Sequence, residues 1–504
     1  MLLPQEVKSI IERLEKAGFQ AFAVGGCVRD TLLGLEPQDW DIATSANPEE
    51  IQKVFPGSFY ENKFLTVTVL TDSQNQKLKE IEITTYRKEA EYSDQRHPDQ
   101  VDLASSIEED LARRDFTVNA MALKIKNGRS QILDIFDGQK DLKNKIIKTV
   151  GDPQARFTED ALRLMRAVRF ATTLNNKVDE TNVSSPPFAL LQRAWAIEDK
   201  TFQALKDNAH LLEAVSKERI RDEFVKIVMS ERAAQGIELL RESGLLKYII
   251  PELEEGVDCS QNKHHIYDCY QHNLKSFEYA VKENFNKYVR LAALFHDVAK
   301  PRSKRGEGPD ATFYGHEVLS AKMTWQILNR LKFPKKEIEK IVKLVRYHLF
   351  YYNVGEVGES SVRRLVLKVG AENVEELLQL RMADRIGSGV PKAEPYKLRH
   401  LKYIIDKVSQ DPISVKMLKI NGQDIMKILS LSPGPKVGLL LDILLGYVLI
   451  DPEKNEEKFL QKEVKKLGKL SEKELTKLAN QAQTEREKVE MKKDEMTKKK
   501  YWVT

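Results

Sequence analysis

"AVGGCVRDTLLGLEPQDWDIAT", Ala23 to Thr44, decides how the rest of the chain is read. An apolar run ends in Gly25 and Gly26, Arg29 follows three residues later, and Asp39 and Asp41 straddle Trp40. Two apart on a strand, the aspartates project from one face and Trp40 from the other. Carboxylates so paired can share two divalent ions about 3.5–4 Å apart, the arrangement of in-line phosphoryl or nucleotidyl transfer. Their hard oxygens suit magnesium. The glycines let backbone N–H groups approach phosphates without a Cβ in the way. Val28, Arg29 and Asp30 open a helix whose positive N-terminus favours anions. The segment reads as a strand, turn, helix and strand that cradle a triphosphate and its metal ions.

The chain around it has 504 residues, too many for one core, and three to four domains are expected. With 41% hydrophobic and 31% charged residues it is neither a disordered nor a membrane composition. A net charge of +5 is weak support for nucleic acid, because a basic surface can hide in a balanced total. Cys27, Cys259 and Cys269 form no CxxC pair and read as thiols of a reducing cytoplasm. The N-terminal stretch is an amphipathic helix pattern with acidic residues, not a signal peptide. The longest apolar run, "VGLLLDILLGYVLI", is too short to span a membrane and holds Asp442. A cytoplasmic protein without membrane contact is expected.

Strand-like segments "AFAVGG", "DWDIAT", "FLTVTVL", "KEIEITTY" and "MALKIK" alternate with helical patterns over the first 150 residues. Asn47 caps one such helix with Pro48 at its first position. From Asp152 the strand signal vanishes, and "FTEDALRLMRAVRFA" shows helical periodicity with Thr158 as N-cap. "NNKVDETNVSSPPF" reads as a surface loop. The lysine-rich end reads as a solvated helix fraying into a disordered tail, with contact to RNA phosphates as the sharper alternative.

"VGGCVRDTLLG" with "DWDIAT", then "DLARRDFTVNAMAL", "ILDIFDGQKDLKNKIIKTVGDP", "FTEDALRLMRAVRFA" and "SKERIRDEF", resemble in order the class II (bacterial-type) tRNA nucleotidyltransferase and poly(A) polymerase family. The resemblance covers most of residues 20 to 230, and "INGQDIMKILSLSPGPKVG" resembles the family's C-terminal portion. It implies that Gly25, Gly26, Arg29 and Arg114 meet the nucleotide, that Asp39 and Asp41 bind catalytic magnesium, and that Asp115 and Asn119 fix local geometry. "TYRKEAEYSDQRHP", with Arg87 and Arg96, resembles the family's loop between motifs. Glu82 lies on a strand pattern and is left unassigned as a third carboxylate.

Asp160, Arg163, Arg166 and Arg169 recur every third residue and would share one drifting helix face. Cytosine and adenine both present an exocyclic amine donor beside a ring-nitrogen acceptor; uracil and guanine present the reverse. An acceptor from Asp160 next to a donor from Arg163 fits C and A, with about 1–3 kcal/mol of discrimination per well-placed pair. Arg166 and Arg169 would steady that pair or the triphosphate.

Seven of the nine histidines fall between residues 255 and 405. His272 in "YDCYQHNL", His296 and Asp297 in "LAALFHDVAKP" and Asp384 in "RMADRIG" give the order H, HD, D, which resembles the HD superfamily of metal-dependent phosphohydrolases. The resemblance implies those four as ligands, with His264 and His265 as rivals for the first, and His316 and His348 as additions for a second metal. The ligand types suit manganese, nickel, iron or magnesium without choosing among them.

The expected class is α+β: a nucleotidyltransferase α/β head with a mixed sheet (1–150), then a helical nucleotide-selecting and RNA-binding neck (151–254), a helical HD body (255–405) and a helical tail (406–504). The expected function is CCA addition, in whole or part, to tRNA 3′ ends from CTP and ATP. The alternatives are a poly(A) polymerase and, from another class, an HD phosphohydrolase with a regulatory head.

Overall fold

Four consecutive small or apolar side chains, Ala21–Val24, form β1 and are all buried, as a central strand requires. In the computed structural model, which describes residues 3–61, 65–89, 101–126, 129–174, 195–262, 266–409 and 415–503, the strands that follow are β2 (Asp41–Thr44), β3 (Phe59–Glu61), β4 (Thr66–Leu70), β5 (Glu80–Thr85), β6 (Arg87–Glu89), β7 (Val101–Leu103), β8 (Met121–Lys126) and β9 (Arg129–Asp134). Seven of them make one sheet in the order β3-β4-β5-β2-β1-β8-β9. Only β2 and β5 run parallel, so the sheet is mixed, as expected. All five strand-like segments of the sequence are strands. β3 and β9 escaped that reading: the first is three residues long, and the second, "RSQILD", is mostly polar.

Asn47 does cap the helix Pro48–Val54, in a reciprocal box with Glu50. The expected helix from Thr158 is instead two. Pro153–Glu159 ends at Asp160, whose backbone is extended, and Leu162–Thr173 begins after it. Thr158 is therefore inside the earlier helix, its Oγ1 donating to the Gln154 carbonyl, and caps nothing. Strand structure also persists past Asp152, since Ala196–Ile197 pairs in parallel with Ile146–Ile147.

The chain forms two compact units, residues 1–349 with 376–391, and residues 350–375 with 392–504. The first holds the sheet together with His272, His296, His316 and His348. The second is built on the helix Pro435–Ile450, whose Leu440, Ile443 and Leu444 are fully enclosed with Leu460, Val464 and Leu475. Gly446 lets the long helix Glu472–Lys500 cross closely: a Cβ there would lie 2.6 Å from the Cβ of Ala482. The lysine-rich end does not fray as expected. Lys500 pairs with Asp406 at 2.8 Å and Tyr403 donates to Asp494, which tie the helix's last turns to the helix Tyr396–Ser409. Among the described residues no helix is long and apolar enough to cross a membrane.

Candidate functional site

Pairing of β1 with β2 ends at Val24 opposite Asp41, because Gly25 turns the chain into the helix Gly26–Leu32. Asp39 is consequently not on the strand, contrary to expectation, but in the bend just ahead of it. Trp40 is buried while Asp39 is exposed, so the two still point apart. The parallel register sets Glu82 of β5 beside Asp41. Burial, reinforced by repulsion from Asp39 and Glu82 and opposed by Arg114, pushes the Asp41 carboxyl up to about 6. Asp41 flanked by two further carboxylates, with only hard oxygen donors, fits a divalent cation.

Gly25 has φ +77°, and a Cβ there would lie 2.7 Å from Arg114 Nη1 and 3.9 Å from Asp41 Oδ2. Backbone, cation and carboxylate thus pack against one another. Arg114 is held by Asp110, which is 1% exposed and accepts from Arg113 as well. Asp115 caps its own turn through the Phe116 N–H, accepts from Asn119, and takes Arg166 at 2.8 and 2.5 Å. Burial opposes its charge, but Arg166 and Asn119 hold its carboxyl well below the usual range. Arg29 donates to Asn119 Oδ1 at 2.6 Å and to Asp30.

A cleft of about 430 Å³ has Asp41, Glu82, Arg114, Asp160, Arg163 and Arg166 on its wall. Gly25, Gly26, Arg29, Asp39 and Arg169 lie off that wall. Arg29 and Arg169 instead stand over the ring of Phe170, and Arg169 is paired with Glu223 at 2.5 Å. Asp160 is not on a helix face with the arginines, because it occupies the break between two helices. Its Oδ1 accepts the Leu162 N–H at 3.0 Å, a local turn contact ahead of the second helix. Arg163 is buried and held from behind by Glu159 at 2.6 Å and by the Arg156 and Arg113 carbonyls. Sequence reasoning missed Glu159, Asp110 and Arg219 as site residues; the last lies within "SKERIRDEF", quoted for the family resemblance and not for this side chain. Arg96, His264, His265 and "NNKVDETNVSSPPF" lie outside the described residues.

A second cluster is made by helices. His272 comes from Cys269–Lys282, His296 and Asp297 follow Lys287–Phe295, and Asp384 lies on Val374–Gly387. The last approaches the first closely because residue 387 is glycine: a Cβ there would lie 2.7 Å from the His272 carbonyl oxygen. The four ligand candidates bring donor atoms within 4.8 Å of one another, and Asp297, His316 and His348 do the same. His272 Nε2 and His296 Nε2 are 2.9 Å apart, with Asp297 Oδ2 at 3.0 and 3.4 Å from them. The Nδ1 atoms of His296, His316 and His348 each meet a backbone carbonyl at 2.7–2.9 Å. A carbonyl only accepts, so each Nδ1 carries a proton and each Nε2 is the atom turned to the carboxylates. That donor set fits a divalent metal. Burial resists charge on His296, yet Asp297 and Asp384 outweigh it and raise its imidazole to about 10, a proton that a metal would replace. Lys300, 2.6 Å from Asp297, and Arg381 and Arg385 line an adjoining cavity of about 520 Å³.

Residues 21–148 match the family model of the poly A polymerase head domain, 195–256 that of a probable RNA and SrmB-binding site of polymerase A, and 269–388 that of the HD domain. A CCA-adding enzyme of Lactococcus lactis subsp. lactis (strain IL1403) is 33% identical over 92% of this chain and 98% of its own. One from Ligilactobacillus salivarius (strain UCC118) is 44% identical over 49% of this chain and 55% of its own. The crystal structure of the Bacillus stearothermophilus CCA-adding enzyme in complex with CTP shares 26% identity and a TM-score of 0.52, over 92% of this chain and 98% of that one. A third of all residues kept over two nearly complete chains is too much for a shared head alone, and the chain belongs to the CCA-adding enzyme family of nucleotidyltransferases.

Proposed function

We propose that the protein extends tRNA 3′ ends with C and A, as CCA or part of it, using CTP and ATP. Carrying this reading is a cleft lined both by Asp41 and Glu82 and by Asp160 and Arg163, so that triphosphate and base can be held in one place. Asp39, Asp41 and Glu82 would hold magnesium, which when bound lowers the pKa of the attacking hydroxyl and offsets charge on the departing pyrophosphate. Gly25, Gly26 and Arg114 place the phosphates against those carboxylates. Asp160 accepts the exocyclic amine of C or A while Arg163 donates to the ring nitrogen, so a protein wall replaces a template strand. Arg29, Arg166 and Arg169 keep that wall in shape through Asn119, Asp115 and Glu223. The helices after residue 150 serve as neck, HD body and tail, gripping the RNA by phosphate and shape rather than by sequence. A tRNA substrate fits a cytoplasmic protein.

Purified protein and a tRNA lacking its terminal CCA, given each nucleotide separately, test this. C then A addition is expected. Long A-only tails without C would favour the poly(A) polymerase alternative and defeat the proposal.

The histidine cluster supports a second activity, metal-dependent hydrolysis of phosphoester ends, cyclic phosphates included. His272, His296, Asp297 and Asp384 would hold one ion. Asp297, shared with His316 and His348, offers a place for another. Lys300, Arg381 and Arg385 suit an anionic substrate. Metal analysis after loading with manganese or nickel, with cyclic-nucleotide hydrolysis as the activity, tests it; an inert protein that retains no such metal would refute it.

A further inference from the structure

Three neck arginines face the head cleft, and each is matched to a different acid. Arg163 is paired with Glu159, Arg166 with Asp115, and Arg219 with Asp160. Arg219 comes from the first turn of the helix Lys217–Val228, distant in sequence from the Asp160 break. Its Nη2 donates to Asp160 Oδ2 at 3.2 Å and lies 3.5 Å from Oδ1. Both side chains line the cleft.

An aspartate carboxyl turns easily about its last torsion, which has broad wells. The Leu162 N–H fixes one oxygen of Asp160 and leaves that rotation open. Arg163 and Arg166, committed elsewhere, do not close it. Arg219 does, by holding the second oxygen. We propose that Arg219 is a positioning residue for base selection: it fixes the plane of the Asp160 carboxylate so that Oδ2 presents an acceptor to the base edge. A fixed acceptor meets the amine of C or A and repels the carbonyl oxygen of U or G. A swivelling one could turn instead to the ring N–H of U or G. This inference rests on the reading of Asp160 and Arg163 as the base-contacting pair.

Single-turnover addition by the full chain to tRNA lacking CCA, with CTP, ATP, UTP and GTP in turn, tests it. In R219A, kcat/KM for CTP and ATP should fall about tenfold while that for UTP and GTP changes little, consistent with losing one well-placed contact. R219K should recover part of the discrimination, and R219Q, which keeps length and a donor without charge, guards against a folding defect in R219A. In D160A, discrimination should already be lost, and adding R219A should cost nothing further. An equal fall for all four nucleotides would mean that Arg219 binds phosphate or RNA, and overturns the proposal. So would unchanged discrimination in R219A with discrimination lost in D160A. If D160A itself discriminates normally, the base-reading wall falls and this inference with it.

Discussion

At residue 25 the chain needs a left-handed turn and no side chain, for two separate reasons. The φ of +77° strains any L-residue, and Arg114 Nη1 occupies the space of a Cβ. Gly25→Ala should therefore displace Arg114 from its place beside Asp41. A combined cost of about 2 kcal/mol corresponds to roughly a thirtyfold loss in kcat/KM for both CTP and ATP. Steady-state kinetics with each nucleotide, beside a thermal melt showing the fold intact, checks it. Asp115 makes a different demand, on charge. Its carboxyl is held below the ordinary aspartate range, so its ion pair with Arg166 stabilises the fold above the unfolded value of about 3.9 and is lost progressively as pH falls beneath it. Arg166 retains 33% of its side-chain exposure, so about 2 kcal/mol is expected, short of the full loss for a buried pair. Asp115→Asn should lower Tm by a constant amount from pH 7 to about 5, and the gap to the parent should narrow below about pH 4. Melts across that range decide it; a gap that widens with acid would contradict the assignment.

Elements show where reading a sequence succeeds and where it stops. β1, the glycine turn and Asp41 are neighbours along the chain, so their chemistry is visible locally. Glu82 reaches Asp41 only through the parallel register of β2 and β5, which no local pattern encodes. The helix break at Asp160 was hidden for the opposite reason. Apolar periodicity runs on through "FTEDALRLMRAVRFA", and Asp160 ends one helix and turns the chain toward the next without glycine or proline to mark it. Among the histidines, the order H, HD, D pointed to ligands, but their convergence depends on Gly387, which in sequence resembles a helix end. A methyl there meets His272 O at 2.7 Å and Ser276 N at 3.0 Å, backbone atoms that cannot rotate aside. Gly387→Ala should push the helix Val374–Gly387 outward and carry Asp384 away from His272. Manganese or nickel retained at this centre after desalting should drop at least tenfold relative to the parent, since even a lost supporting contact costs about 10–100-fold in affinity. Nucleotide addition should be unaffected. Metal analysis reads the first and single-nucleotide extension the second; full metal content in the variant would show that the close helix contact does not set the ligand geometry.

Across the whole molecule, the head cleft and the histidine cluster belong to the same compact unit yet share no element. The cleft is built from the sheet and the helices up to Val228, whereas the cluster begins with the helix at Cys269. Their carboxylates also differ in kind. Asp41 is raised by burial and, beyond that, by the like charges of Asp39 and Glu82, so it is poised to accept a cation with an oxygen-rich substrate. Asp297 is held far below its ordinary range, against the cost of burial, by Lys300 and the histidines, which describes a preassembled ligand set. Two centres with separate supports should fail separately. Asp41→Asn keeps the side chain's shape and removes its charge, so nucleotide addition should fall by at least about a hundredfold, because the metal's contribution amounts to several kcal/mol. The hydrolysis proposed for the histidine centre should persist. Asp297→Asn, chosen over alanine so that Lys300 keeps an acceptor, should reverse the pattern, losing bound metal and hydrolysis while addition stays within about twofold of the parent, as expected for sites without shared partners. The two variants assayed side by side for both reactions give a two-by-two outcome. If Asp297→Asn also stops addition, the unit works as one coupled machine, and the histidine centre must be counted among the parts that build the nucleotide cleft.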